Sequence, residues 1–194
     1  MLTGHMPVLL AQLSDTHVVA DGTDEVLYVD NNARAAIAVA AIGQEAPSVA
    51  AVLATGDLTQ WGTDAEYDKL AEVLAPLNVP ILPIPGNHDT RAGLRRCFPD
   101  HPWPAAQQEG DHLSWVVELD GVRIIGLDTT VPGAPGAAFD PDREAWLRAA
   151  LSISHAGPTL LAMHHPPFVT GIEWMDASGF VGLDRFLAVI AEAP

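Results

Sequence analysis

A single cysteine, Cys97, rules out any disulfide within the chain, and nothing in the sequence asks for an oxidising compartment. Bases are scarce too. Nine Lys and Arg residues, of which only Lys69 is lysine, face 25 acids, for a formal charge of -16. A surface that acidic repels phosphate backbones and anionic lipid, which excludes nucleic-acid polymers and polybasic membrane contacts as expected partners. No run reaches 18 apolar residues, and no charged N-terminal segment leads into a long apolar one. Neither a membrane span nor an export signal is expected, and the expected address is the cytoplasm. Repeats, low-complexity linkers and composition breaks are also missing. What remains is 194 residues, 48% hydrophobic, which suits one globular domain with a real core. The excess acid serves solubility or places some carboxylates in cation sites.

Short apolar runs alternate with longer Ala-rich segments. Val8 to Ser14 reads as a buried strand that closes on Asp15-Thr16-His17. Asp30 is placed to cap a helix through Glu45, with Pro47 as its stop. Val49 to Thr55 is a second strand ending at Gly56-Asp57, and Thr63-Asp64-Ala65-Glu66 has the spacing of a capping box opening a helix to about Ala75. Val79 to Ile84 is a third strand, whose Pro83 implies an edge position or irregular pairing; it ends in Pro85-Gly86-Asn87-His88-Asp89. Asp120-Gly121 between Leu113–Leu119 and Val122–Leu127 predicts a hairpin with a type I′ turn. Val131 to Gly136 reads as a Pro/Gly loop, and Asp140-Pro141 as the cap and first residue of a helix to about Ser154. Thr159 to Met163 is a further strand, ending at His164-His165-Pro166-Pro167, and Leu183 to Ala193 reads as an amphipathic helix.

Four of these strands finish on residues with metal-binding heads: Asp15 and His17, Asp57, Asn87, and His164. In open α/β sheets ligands gather at the carboxyl ends of strands, where the loops converge. Each motif also has an ordinary reading, as a turn carboxylate, an Asx turn, a Gly/Asn loop or a pair of satisfied histidines. Their recurrence at successive strand ends is what favours a shared site. A mixed carboxylate, imidazole and carboxamide set suits Mn, Fe, Zn or Co better than Ca, and the lack of thiolates removes a structural zinc site.

Asp15-x-His17, Gly56-Asp57, Gly86-Asn87-His88-Asp89 and His164 together resemble the calcineurin-like metallophosphoesterases. Ile124-Ile125-Gly126-Leu127-Asp128-Thr129 and Met163-His164-His165-Pro166-Pro167 narrow the resemblance to the bacterial branch of class III cyclic-nucleotide phosphodiesterases and glycerophosphodiesterases. The resemblance implies an α/β fold, a two-sheet sandwich with flanking helices, and a centre of two divalent metal ions. Asp15 and His17 would bind the first ion, Asp57 would bridge both, and Asn87 and His164 would bind the second. Asn87 and His88 would meet the substrate phosphate, with His88 as catalytic stabiliser or proton donor. A hydroxide bridging the ions would attack phosphorus in a small diester, such as a 3′,5′-cyclic nucleotide or a glycerophosphodiester. Counting charges leaves such a centre positive by about one unit, so an acidic protein can still bind an anion.

The same resemblance exposes a departure. The family continues into a strand ending in Gly-His-x-His, and no histidine follows His165 here. The domain, residues 1–194, is therefore expected to lack its C-terminal strands, to bind metal weakly and to hydrolyse slowly or not at all. A phosphomonoesterase, a nuclease of the same superfamily and an impaired fragment acting as a scaffold are the competing readings; a homodimer is among the assemblies the sequence allows. Two further residues carry open alternatives. Trp174, in a segment Gly171 to Asp176 able to cap the site, either stacks on a nucleobase or packs with Met175. Asp128 either orients a ligand histidine or caps the turn at Thr129-Thr130. Trp61 and Tyr67 are expected to pack the helix after Asp57.

Overall fold

The computed structural model describes residues 7–21, 29–45, 48–105 and 111–193. His5 and Pro47 lie outside them. The chain runs β1 (Leu9–Leu13), α1 (Asn31–Glu45), β2 (Val49–Thr55), α2 (Asp64–Leu74), β3 (Ile81–Ile84) and α3 (Arg91–Cys97). It continues through β4 (Trp115–Leu119), β5 (Val122–Leu127), β6 (Thr130–Val131), β7 (Ala134–Ala138), α4 (Pro141–Ser152) and β8 (Thr159–Met163). It closes with α5 (Glu173–Ser178), β9 (Phe180–Val181) and α6 (Leu183–Ala191). One sheet has the order β1-β2-β3, all parallel; a second has β4-β5-β8, with β4 antiparallel to β5 and β8 parallel to it; a small third sheet is β6-β7-β9.

The period-2 rule shows how the layers stack, because both main sheets are apolar on both faces. In β2, Ala51 and Leu53 join Leu82 and Ile84 of β3 against Trp115 and Ile124 of the second sheet. The intervening Val52 and Ala54 face the other way, toward Val39 of α1 and Leu70 of α2. Across the molecule, Ile125 and Leu127 of β5 turn outward onto Leu147 of α4 and Phe186 of α6. Helices, sheet, sheet, helices: the expected sandwich with flanking helices is the observed architecture. One polar tie crosses its interior, from the Trp115 indole N–H to the Pro83 carbonyl at 2.8 Å.

Local chemistry sets the element ends. Thr63 and Glu66 form the reciprocal capping box, and Asp140 caps α4 ahead of Pro141. The Asp30 carboxylate accepts the Ala33 N–H at 2.8 Å. Asp120 and Gly121 both take positive φ, 50° and 81°, as a type I′ turn requires. Pro83 sits in β3, which is an edge strand, where the missing N–H costs least.

Several expectations fail. Val131 to Gly136 is not a loop: β6 and β7 form a hairpin there, and β7 pairs with the distant β9. Helices α3 and α5 and strand β9 were not expected. Tyr67 packs as anticipated, its exposure 1%, but Trp61 is 64% exposed and covers nothing in the core. Asp128 does not orient a histidine. It is fully buried, bonds to Arg91 Nε at 2.7 Å, and accepts from Leu113 N, Thr130 N and the Thr130 hydroxyl, so the turn-cap reading is the right one.

His101 lies between the Trp103 and Trp115 rings, with centroids at 4.2 and 4.9 Å, and burial lowers its pKa from 6.5 to about 4. The unfolded chain takes up that proton below pH 6.5, the folded chain only near pH 4, so stability falls as pH drops through that window. By pH 5 the loss is about 2 kcal/mol. In thermal melts, His101→Phe should lose distinctly less Tm between pH 7 and pH 5 than the native chain. Equal losses in the two proteins would refute the assignment.

Candidate metal centre

The site begins where the first-sheet strands run out. After β1 and β2 stop pairing as strands, their loops stay zipped together: Asp15 N donates to Gly56 O, His17 N to Asp57 O and Val18 N to Leu58 O, each at 3.0 Å. This is possible because Asp15, His17 and Asp57 adopt φ of 54°, 43° and 49°. Such left-handed conformations are costly for residues with a Cβ and persist only where the surroundings enforce them. Among the described residues the only other non-glycine case is Asp120 in its hairpin turn.

The β3 loop is fastened to the same place by Asp89. Its carboxylate accepts from Leu58 N at 3.2 Å, Thr59 N at 3.1 Å, the Thr59 hydroxyl at 3.2 Å and Gly86 N at 3.0 Å. Burial pushes the Asp89 carboxyl upward in pKa, as does the charge of Asp57, while the bonds from Gly86, Leu58 and Thr59 pull it down. Sequence inspection places Asp89 within the motif but assigns it no task; its task is to lock two ligand-bearing loops together.

Asp57 is the centre of the arrangement, 5% exposed. Its Oδ1 accepts the His88 backbone N–H at 2.9 Å. Its Oδ2 faces three imidazoles, with Nε2 of His164 at 3.5 Å, of His17 at 3.7 Å and of His88 at 4.0 Å. Asp15 Oδ1 stands 3.9 Å from His17 Nε2. These are not hydrogen-bond distances. Donors sharing one ion, each at about 2.0–2.2 Å from it, stand roughly 3 to 4 Å apart. Two groups of such donors form, both containing Asp57: one with His17 and His88, the other with Asp15 and His164.

The orientation of the rings fits a cation. His164 Nδ1 lies 2.9 Å from the Thr55 carbonyl and His88 Nδ1 2.7 Å from the Gln60 carbonyl. A carbonyl can only accept, so Nδ1 carries a proton in both rings, and each ring, when neutral, presents its Nε2 lone pair to the centre. Burial works to lower the His164 pKa, but the close Asp57 carboxylate, its charge, and the Thr55 carbonyl outweigh it and raise the value to about 9. For Asp57, burial acts upward and the His164 and His88 contacts prevail, holding the carboxyl below its usual range. Without a cation, the two groups thus form an ion pair.

All the sequence-derived site residues line one cavity of about 510 Å³: Asp15, His17, Asp57, Asn87, His88, His164 and Trp174. The donor grouping differs in two respects from expectation: Asp15 stands with His164 rather than with His17, and His88 joins a donor group. His88 stands with His17 in a candidate ligand group, their rings edge-on with centroids 4.8 Å apart, whereas it was expected to serve only the substrate. His165, next to His164, turns away to the Thr129 hydroxyl at 2.8 Å.

The loops leave no room for a side chain at Gly86, where a Cβ would fall 2.2 Å from both Asp57 N and Asp57 Oδ1. Gly86→Ala must therefore displace Asp57 although residue 86 donates no ligand. Calorimetric titration with Mn²⁺ should show binding weakened at least tenfold, with the far-ultraviolet circular dichroism retained. Unchanged affinity would show that the centre does not depend on this contact.

The Calcineurin-like phosphoesterase family profile matches residues 8–187. A probable cyclic nucleotide phosphodiesterase of Rhodopseudomonas palustris is 38% identical over 182 residues, covering 92% of this chain and 65% of that protein. A probable glycerophosphodiester phosphodiesterase of Arcobacter nitrofigilis is 34% identical over 186 residues, 95% of this chain and 67% of its own. A 3′,5′-cyclic adenosine monophosphate phosphodiesterase of Pseudomonas aeruginosa is 30% identical over 187 residues, covering 96% and 65%. The chain thus spans about two thirds of the length of these relatives. Proteins of this kind use a dinuclear divalent metal centre, which agrees with two donor groups sharing one carboxylate. Strand-end motifs, the convergence on Asp57 and the match along nearly the whole chain lead to one conclusion: the chain belongs to the calcineurin-like phosphoesterase family.

Proposed function

We propose that this chain carries a metal-dependent phosphodiesterase centre acting on a small diester, a 3′,5′-cyclic nucleotide or a glycerophosphodiester. The observation that carries the reading is the convergence of three imidazole Nε2 atoms on the single buried oxygen Asp57 Oδ2. When bound, two divalent ions supply Lewis-acid charge to the phosphate and make hydroxide available near neutral pH. Asp15, His17, Asp57, Asn87 and His164 would hold them, with Asp57 common to both donor groups. Mn, Fe, Zn and Co all suit this donor set.

The chain's own groups do the rest. Asp57 ties the two ion positions together and, being anchored through Oδ1 to the His88 N–H, cannot swing away. The Gln60 carbonyl fixes the His88 ring, so that Nε2 faces the cavity; with a second proton on Nε2 the ring would donate to a phosphate oxygen and could pass that proton to the leaving alkoxide. Asn87 lines the same wall and offers its carboxamide N–H to the phosphate when its oxygen is not committed to an ion. The cytoplasm is the proposed compartment. The one thiol, Cys97, is half-buried and pushed up to about 11 by burial, which keeps it unreactive, and no described helix is long and apolar enough to cross a membrane.

The relatives named above include both a cyclic-nucleotide and a glycerophosphodiester enzyme, which is why the proposal stops at the diester class. The charge of -16 weighs against a polymeric nucleic-acid substrate. With three protein donors per ion, one of them a neutral carboxamide, activation is expected to need high Mn²⁺. Under millimolar Mn²⁺ the chain should hydrolyse bis(p-nitrophenyl) phosphate and cyclic AMP faster than p-nitrophenyl phosphate. Chelation should abolish turnover, and Asp57→Asn should reduce it by roughly a hundredfold or more. Preference for the monoester would make it a phosphomonoesterase; turnover indifferent to both chelator and Asp57→Asn would refute the centre.

A further inference from the structure

The cavity lining combines two chemically different sets of residues. Asp57 and its imidazoles form one; Phe168, Val169, Trp174 and Met175 form the other. Phe168, Val169 and Trp174 are 66%, 82% and 73% exposed, and helix α5 has no buried residue at all. These side chains belong to none of the three core clusters, so folding does not account for their apolar character. An exposed apolar cluster continuous with a polar site is a place where a ligand is expected to complete the burial.

The segment is nevertheless held in a defined shape. Asp176 Oδ1 accepts from Thr170 N and the Thr170 hydroxyl, both at 2.8 Å, and Oδ2 accepts from Gly171 N at 3.0 Å. Ile172 N donates to the Thr170 hydroxyl at 3.1 Å, and the Ser178 hydroxyl to the Trp174 carbonyl at 3.2 Å. A carboxylate clasp therefore closes residues 170–176 from within and presents the Trp174 side chain at the cavity mouth without core packing. The first of these bonds, from the Thr170 N–H, is the main reason the Asp176 carboxyl sits below its usual pKa range, so the clasp is ionised and closed at neutral pH.

We infer that Trp174, positioned by the Asp176 clasp, is a stacking platform for the arm of the diester that does not leave, and that it selects a planar apolar arm over a polyol. This rests on the phosphodiesterase reading. A planar ring laid on Trp174 removes two apolar faces from water at once, and its stacking is tolerant of ring type. A glycerol arm in the same place would lose water from its hydroxyls and find apolar side chains instead. Between the two diesters proposed, the site favours the nucleotide.

Three esters with a common p-nitrophenolate leaving group separate arm from chemistry: thymidine 5′-phosphate p-nitrophenyl ester, bis(p-nitrophenyl) phosphate and methyl p-nitrophenyl phosphate. Trp174→Ala should raise KM for the first two roughly tenfold more than for the methyl ester, with kcat much less affected, and Trp174→Phe should restore most of the difference. Asp176→Ala should produce the same arm-selective pattern with the tryptophan still in place. Equal losses on all three esters, or none, would overturn the platform. If no ester is turned over, the hydrolase reading falls, and tryptophan fluorescence decides the platform separately. Saturable quenching by AMP, absent with glycerol 3-phosphate and lost in Trp174→Phe, sustains it; identical responses to both ligands overturn it.

Discussion

A carboxylate buried to 5% exposure at the end of a central strand is an expensive object, and the surroundings of Asp57 are best read as what makes it tolerable. One oxygen is satisfied by the His88 backbone N–H; the other is left facing three ring nitrogens at distances too long for ordinary hydrogen bonds. Those rings cannot rotate to relieve it, since the Thr55 and Gln60 carbonyls hold two of them by Nδ1. Three left-handed backbone conformations, at Asp15, His17 and Asp57, add strain at the same spot. A fold that concentrates buried charge, strain and oriented lone pairs in one place has been built around a cation, and its stability and its chemistry compete there.

The sandwich explains how that concentration is sustained. Apolar packing on both faces of the first sheet fixes where β1, β2 and β3 end, and the loops beyond them are joined backbone to backbone and through Asp89. His164 comes from the other sheet, at the end of β8, and reaches the Thr55 carbonyl at the end of β2. The centre is therefore also a joint between the sheets. Removing a ligand-loop contact should be felt in sheet-to-sheet docking as well as in metal affinity.

Much of this was legible in the sequence, for a physical reason. Ligands at strand ends follow buried runs whose period and length are unmistakable, and β2 and β8 match their expected bounds from Val49 to Thr55 and from Thr159 to Met163. Caps at Thr63 and Asp140 are local chemistry and were readable for the same reason. What escaped was specified by distant partners. The β6–β7 hairpin carries Pro132 and Gly133 in its turn and Pro135 and Gly136 in β7, a composition that reads as loop, and β7 finds its further strand partner only in β9, about forty residues on. Helix α3 carries Gly93 in its middle, a poor helix former, which is there because a Cβ would fall 1.9 Å from the Tyr67 ring. Trp61 looked like core by residue type alone, and type says nothing about which way a loop residue faces. Asp128 could be placed at a strand end, but only the fold reveals that Arg91 occupies it.

The two sets of residues lining the cavity come from different kinds of structure, and this divides their roles. Ligand loops are extensions of buried strands, tied by bonds between elements, so their geometry is shared by any sequence that builds the sandwich. The segment from Phe168 to Ser178 is tied almost entirely to itself, through Asp176 and Thr170, and buries nothing in the core. Its side chains can be exchanged at little cost to folding, whereas Asp57 and its neighbours are tied to the geometry of the centre. Substrate choice is therefore free to change on this segment while the hydrolytic centre stays as it is. The same division explains how a chain of charge -16 can handle an anion. On the proposed reading, attraction would be supplied over a few ångströms by cations held at Asp57, within the range where salt does not screen it, and the acidic surface farther out would act only on larger polyanions.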